Sequence, residues 1–225
     1  MKYTSLFLDL DNTILDFNKA EASAIRCVLQ MHNLPCNDNI VKKYSQINLS
    51  YWKRFERGEI KREDIFENRF ADLLEFLNCK GNVVDIAKDY FVFLSEGYYT
   101  VDGAINILEY LKNKGYKLYI TSNGISFTQF KRIKNSGIEE YIDGIFVSED
   151  TGHQKPEKEF FDFVLEKITE KDKSKILIVG DSQTSDILGG INSGIDTCWY
   201  NPDGEEAKYQ SQYEIRVLTD LKTIL

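Results

Sequence analysis

Histidine and cysteine are scarce in this chain. Two histidines and four cysteines stand among 225 residues, and Cys27, Cys36, Cys79 and Cys198 form no C-x-x-C pair. That argues against a zinc cluster and leaves the cysteines as free thiols of a reducing compartment. Positive charge is in deficit: 28 Lys+Arg against 36 Asp+Glu give a net charge of -8. Such a chain repels nucleic-acid polymers and anionic membrane surfaces, so neither is expected as a partner, although a local basic pocket stays open. Long apolar runs are missing too. None approaches the roughly 18 residues of a membrane span. The first, Leu6-Phe7-Leu8, is broken by Asp9 with Asp11 just beyond, unlike a secretory leader. The expectation is a cytoplasmic protein. There is no internal repeat and no low-complexity segment. The length suffices for one sizeable core with a small accessory domain.

What is present changes character twice along the chain. Tyr3 to Leu10 reads as a short buried strand that ends in acids. From about Asn18 to Gly97 the apolar residues recur at helical spacing. Tyr44, Ile47, Tyr51 and Phe55 form one stripe, Phe66, Phe70, Leu73, Leu74 and Leu77 a second, and Val83, Ile86, Tyr90 and Phe93 a third; Ala22, Ile25 and Leu29 suggest a further helix. Beyond Gly103, helices and strands alternate. Helices are expected over 104–114, 128–136, 157–168 and 185–192, the first two stopped by Gly115 and Gly137. Strands are expected over 117–121, 145–147, 176–179 and 197–200. Alternation of this kind implies a parallel sheet covered on both faces. The first strand must join that sheet or stand alone. The expected architecture is therefore a doubly wound α/β core, residues 1–15 and 98–225, with an all-helical domain, 16–97, inserted after the first strand.

Ligands of open parallel sheets bind beyond the carboxyl ends of the strands. Those ends carry Asp9-Leu10-Asp11-Asn12-Thr13, Ser122-Asn123-Gly124, Lys155-Pro156 and Gly180-Asp181, with Asp186 following. Each has a plain structural reading: a helix cap, a turn, a solvated loop lysine, another cap. Together they deliver carboxylates, a hydroxyl and an ammonium to one rim, as phosphoryl transfer requires. Crowded carboxylates repel unless a cation sits between them, and a hard oxygen set suits Mg²⁺. The cation cancels repulsion between an anionic nucleophile and a phosphate. A carboxylate nucleophile splits one hard displacement into two easier ones. Lys155, Ser122 and the turn at Asn123 and Gly124 can hold the phosphate oxygens.

These motifs resemble those of the haloacid dehalogenase-like hydrolase superfamily, over the whole chain. Asp9 to Thr13 looks like its first motif, Ser122 the second, Lys155 the third, and Gly180-Asp181 through Asp186 the fourth. The resemblance implies a phospho-aspartate on Asp9, with Asp11 as acid and then base. It implies Mg²⁺ held by Asp9, the Asp11 backbone carbonyl and Asp181, with Asp186 supporting the metal from the second sphere. Ser122 and Lys155 would bind phosphate. A narrower likeness, carried by Ser148 to Pro156, Asp186 to Gly194 and Thr197 to Tyr200, is to the pyrimidine 5′-nucleotidase branch. It implies hydrolysis of small nucleoside monophosphates such as dUMP, UMP and dTMP by a monomer or homodimer.

Other chemistries share parts of this pattern. Sialic-acid-9-phosphate phosphatases share the Asp-Leu-Asp-Asn-Thr start, and sugar phosphates or phosphoglycolate are alternative substrates. A metal-free dehalogenase usually lacks an acid two residues after the nucleophile. A phosphate-binding receiver domain lacks a helical insertion of this size. A phosphomutase would keep the same apparatus. Substrate choice falls to the helical cap and to the residues after Thr13, where Asp16, Phe17 and Asn18 are expected to border the leaving group. Tyr51 lies on an apolar stripe and is expected to pack in the cap. His153 is expected to be a loop residue.

Overall fold

The computed structural model describes residues 2–225. Strand β1 (Ser5–Leu8) leads into helices α1 (Phe17–Met31), α2 (Asp38–Glu56), α3 (Arg62–Leu77) and α4 (Val83–Ser95). Then follow α5 (Ala104–Asn113), β2 (Lys117–Ser122), α6 (Ser126–Ser136), β3 (Gly144–Val147), α7 (Ser148–Thr151) and α8 (Lys158–Lys167). The chain closes with β4 (Ile176–Gly180), α9 (Leu188–Ser193), β5 (Asp196–Tyr200), β6 (Tyr213–Ile215) and α10 (Leu221–Ile224). Two compact units result: the residues up to Asp16 together with Tyr99–Leu225, and Phe17–Tyr98.

In the first unit the strands form one parallel sheet in the order β3-β2-β1-β4-β5-β6. Successive strand residues point to opposite faces, and both faces are apolar. Leu6, Leu8, Leu118, Ile120, Leu177 and Val179 pack on one side with Ile107, Leu108 and Leu111 of α5. Phe7, Tyr119, Ile176 and Ile178 pack on the other with Phe160, Phe161 and Val164 of α8. A parallel sheet buried on both faces explains why the strands read as continuous apolar runs. The expected doubly wound α/β core is present.

The second unit is helical. Tyr44, Phe70 and Tyr90, one from each of α2, α3 and α4, meet with ring centroids 5.3–5.4 Å apart. Asn37 and Asn82 cap α2 and α4 by accepting from the Ile40 and Val84 amides, both at 3.1 Å; such a cap contributes about 1 kcal/mol. Tyr51 is buried in this core as its spacing predicts. On α1 the buried stripe is Ala20, Ala24, Ile25, Val28 and Leu29, and Ala22 lies at its margin.

Sheet order reverses at β1, so its carboxyl end is the topological switch point where such folds bind ligands. Register sets the level of every strand end there. Leu8 pairs with Ile120 on one side and Val179 on the other. Asp9, Thr121-Ser122 and Gly180-Asp181 therefore emerge side by side.

Two local expectations are corrected, and one strand is added to those expected. The first strand is shorter than Tyr3–Leu10, with ladder pairing limited to Ser5–Leu8. The helix expected from Ser185 opens instead as a wide π-type turn over Gln183–Ile187. Asp186 causes this by turning its carboxylate back to the Ser182 amide at 3.0 Å. Last, β6 pairs three residues at the sheet edge, too few for a readable alternation.

Candidate active site

Lys155, on the loop between α7 and α8, is buried beneath the rim. Its ammonium donates to Asp9 Oδ1 at 2.7 Å, Asp186 Oδ1 at 2.6 Å and the Thr121 carbonyl at 2.8 Å. Three donors meet three acceptors, which is the full capacity of an ammonium. The solvated-lysine reading is thereby excluded. Asp186 is fully buried, and its second oxygen accepts from the Ser182 amide. Gly180 makes this possible: a Cβ there would lie 2.2 Å from Asp186 Oδ2. Thr13 secures Asp181 from both sides. Its hydroxyl donates to Asp181 Oδ1 at 3.3 Å and accepts from the Asp181 amide at 3.1 Å.

Oxygens of Asp9, Asp181 and Asp186 lie within 4.8 Å of one another. Three carboxylates against one ammonium leave two formal negative charges unbalanced. Burial pushes the Asp9 carboxyl up to about 7, with Lys155 opposing the push and Asp186 and Asp11 adding to it. Burial likewise drives Asp181 well above the usual carboxylate range, helped by Asp9 and Asp186. For Lys155, burial works against the ammonium, but Asp186 and Asp9 outweigh it and raise its pKa. Lys155 is therefore charged, and the upward push on Asp9 and Asp181 comes first from burial, with the neighbouring carboxylates adding to it. A divalent cation with oxygen preference fits the unbalanced negative charge and that donor set. Asp186 already accepts a hydrogen bond on each oxygen, so its fit is as a supporting group, with Asp9 and Asp181 as the direct donors.

Asp11 is held separately. Its Oδ2 accepts from Gln129 Nε2 at 2.6 Å, and its Oδ1 from Arg132 Nη1 of buried Arg132. Gln129 Nε2 also donates to Ser122 Oγ at 2.8 Å. Neither Gln129 nor Arg132 is flagged by motif reading, although two large polar residues three apart on a helix that buries Ile133 are a usable signal. Asn123 follows β2, and its side chain turns to the lysine loop. It donates from Nδ2 to the Lys155 carbonyl at 2.8 Å and accepts the Lys155 amide on Oδ1 at 2.9 Å. This clamps the lysine loop. Phe17 and Asn18 belong to the helical unit, in the first turn of α1, with Phe17 packed against that unit's core. His153 is an exposed loop residue.

The sequence profile of the haloacid dehalogenase-like hydrolase family matches residues 6–200. The HAD-hydrolase YfnB of Bacillus subtilis is 41% identical over 100% of this chain and 96% of its own length. Its magnesium-bound crystal structure superposes with a TM-score of 0.94, covering 100% of this chain and 99% of that one. The pyrimidine 5′-nucleotidase PynA of Streptococcus pneumoniae is 34% identical over 98% of this chain and 94% of its own. The pyrimidine 5′-nucleotidase YjjG of Escherichia coli is 30% identical over 92% and 89%. The chain belongs to the haloacid dehalogenase-like hydrolase family. Within that family it is a phosphatase, a hydrolase of phosphoric monoesters. Among the described residues, no helix is long and apolar enough to cross a membrane.

Proposed function

We propose that this phosphatase is a Mg²⁺-dependent 5′-nucleotidase that transfers the phosphoryl group of a pyrimidine nucleoside monophosphate to Asp9 and then to water. The carrying observation is the Lys155 ammonium bound between Asp9 and Asp186 with Asp181 beside them. Lys155 fixes one Asp9 oxygen, which orients the carboxylate as a nucleophile. Asp9, Asp181 and the Asp11 backbone carbonyl would hold magnesium, which when bound lowers the repulsion between Asp9 and the incoming phosphate. Ser122 and the Asn123 amide cradle the phosphate oxygens, and Lys155 adds positive charge beneath them.

Asp11 protonates the leaving ribose oxygen as the Asp9–phosphorus bond forms. Having lost that proton, it takes one from the water that attacks the acyl phosphate. Each carboxylate oxygen accepts two hydrogen bonds, so the contacts to Arg132 and Gln129 leave a lone pair on each oxygen for this traffic. Phe17 and Asn18, just after the first motif in the chain, are the specificity candidates. The nucleotide assignment is supported by PynA and YjjG, two relatives named as pyrimidine nucleotidases that align along nearly the whole chain.

The test is kcat/KM across nucleoside monophosphates, sugar phosphates and phosphoglycolate, since that ratio reports transition-state discrimination. dUMP, UMP or dTMP should rank first. A sugar phosphate or phosphoglycolate ahead of every pyrimidine nucleotide by about tenfold would overturn the nucleotidase assignment.

A further inference from the structure

Ser122 Oγ has two lone pairs and one proton to offer. The Gly124 amide donates to it at 3.1 Å and Gln129 Nε2 at 2.8 Å. Both lone pairs are filled, so the hydroxyl is left as a donor only. Gln129 thus gives Ser122 the polarity that a phosphate oxygen needs. The same amide nitrogen donates to Asp11 Oδ2, and Gln129 Oε1 accepts from Arg132 Nη1 at 2.9 Å, the nitrogen that also pairs with Asp11 Oδ1. One continuous network therefore joins Ser122 to Asp11 through two side chains of α6. Both side chains are buried, Gln129 2% and Arg132 0% exposed. Burying a guanidinium is costly unless it is paired, and here a carboxylate at the rim pairs it.

Gly124 leaves room for the observed position of the Gln129 amide. Its φ is not in the left-handed region, so backbone conformation does not demand glycine. A Cβ at Gly124 would lie 2.3 Å from Gln129 Nε2 and 2.6 Å from Gln129 Cδ, so a side chain there would displace the Gln129 amide from Ser122. The turn after Ser122 is bare where the Gln129 amide passes over it.

We infer that Gln129 and Arg132 are positioning residues, Gln129 fixing Ser122 as a phosphate-facing donor and both of them fixing Asp11 for proton transfer to the leaving group. The inference rests on the phospho-aspartate reading above. It differs from a purely structural role, in which the network ties α6 to the first loop and touches every substrate alike.

The experiment compares the wild type with Gln129→Met and Arg132→Lys, using p-nitrophenyl phosphate, a pyrimidine nucleotide, and inorganic phosphate as competitive inhibitor. Nitrophenolate departs without a proton and a ribose alkoxide does not, so loss of Asp11 positioning should fall on the nucleotide. Arg132→Lys should lower the rate of the phosphorylation step, read from pre-steady-state bursts, about tenfold or more for the nucleotide while leaving it within about threefold for the nitrophenyl ester. In an Asp11→Asn background the same change should add nothing. Gln129→Met, close in volume, should weaken phosphate inhibition about tenfold, the scale of a hydrogen bond to a charged group. Equal slowing of the phosphorylation step for both esters, additivity with Asp11→Asn, or unchanged phosphate inhibition in Gln129→Met would overturn the inference while the wild type still released phosphate. A wild type that releases phosphate from neither ester would overturn the phosphatase reading and this inference with it.

Discussion

The Lys155 ammonium meets the Asp9 carboxylate at 2.7 Å although 146 positions separate them in the chain. The same nitrogen holds Asp186 at 2.6 Å. Removing it strands two buried carboxylates, and breaking a buried pair in this way costs about 3–5 kcal/mol. Lys155→Met should therefore lose both activity and stability. The stability loss should shrink between pH 7 and pH 5.5. Without the ammonium, nothing opposes the burial that pushes the Asp9 carboxyl up, so the folded state takes up a proton that the unfolded chain does not, and acid favours folding. Urea denaturation of wild type and variant at the two pH values checks this. A gap that stays constant or widens toward pH 5.5 would mean that the carboxylates do not depend on Lys155.

Metal addition should stabilise the protein, and more at high pH than at low. Asp9 is pushed up to about 7 from 3.8, and Asp181 is raised as well. For a raised carboxyl pKa, the favourable contribution to folding is complete below the unfolded value and is lost as pH rises through the folded one. The metal-free protein should thus weaken from about pH 4 to about pH 7 as far as these groups govern it. Bound Mg²⁺ requires the ionised carboxylates, so its stabilisation should grow over the same window. Thermal midpoints with and without Mg²⁺ at pH 6 and pH 8 measure it. A larger shift at pH 6 would contradict the donor assignment. EDTA should abolish turnover, and Mg²⁺ should restore it.

Asp11→Asn should slow nucleotide turnover by roughly 10²- to 10⁴-fold, the usual range for a general acid–base group. The loss should be smaller with p-nitrophenyl phosphate, whose leaving group needs no proton. Pre-steady-state bursts with each substrate separate phosphorylation from hydrolysis. Equal slowing of the phosphorylation step for both esters would remove Asp11 from the leaving-group role.

Much of this arrangement is legible in the sequence, because strand ends are local features. Leu6-Phe7-Leu8 ending in Asp9, and Ile176 to Val179 ending in Gly180-Asp181, announce both a strand and its acidic terminus. The four apolar helical stripes likewise announce the helical unit. What cannot be read locally is which polar side chain answers which. Asn123 reads as a turn residue with its backbone N–H toward phosphate, and nothing local shows that its side-chain amide is bound on both sides to the Lys155 backbone. Gln129 and Arg132 lie on a helix with no acid near them in sequence, and only sheet register brings Asp11 to them. Lys155 before a proline looks solvated until the fold buries it under Asp9 and Asp186. The π-type turn at Gln183–Ile187 is invisible for the same reason, since it follows from where Asp186 must point.

The proposed chemistry turns on a covalent phosphoryl group on Asp9. Rapid acid quench during turnover, borohydride reduction and peptide mass spectrometry test it directly, because borohydride converts an acyl phosphate to an alcohol and marks the aspartate as homoserine. The mark should appear at Asp9 alone, require substrate and Mg²⁺, and vanish in Asp9→Asn together with turnover. Its absence at Asp9 under conditions where steady phosphate release continues, or its appearance at Asp11 or Asp181 instead, would contradict the mechanism.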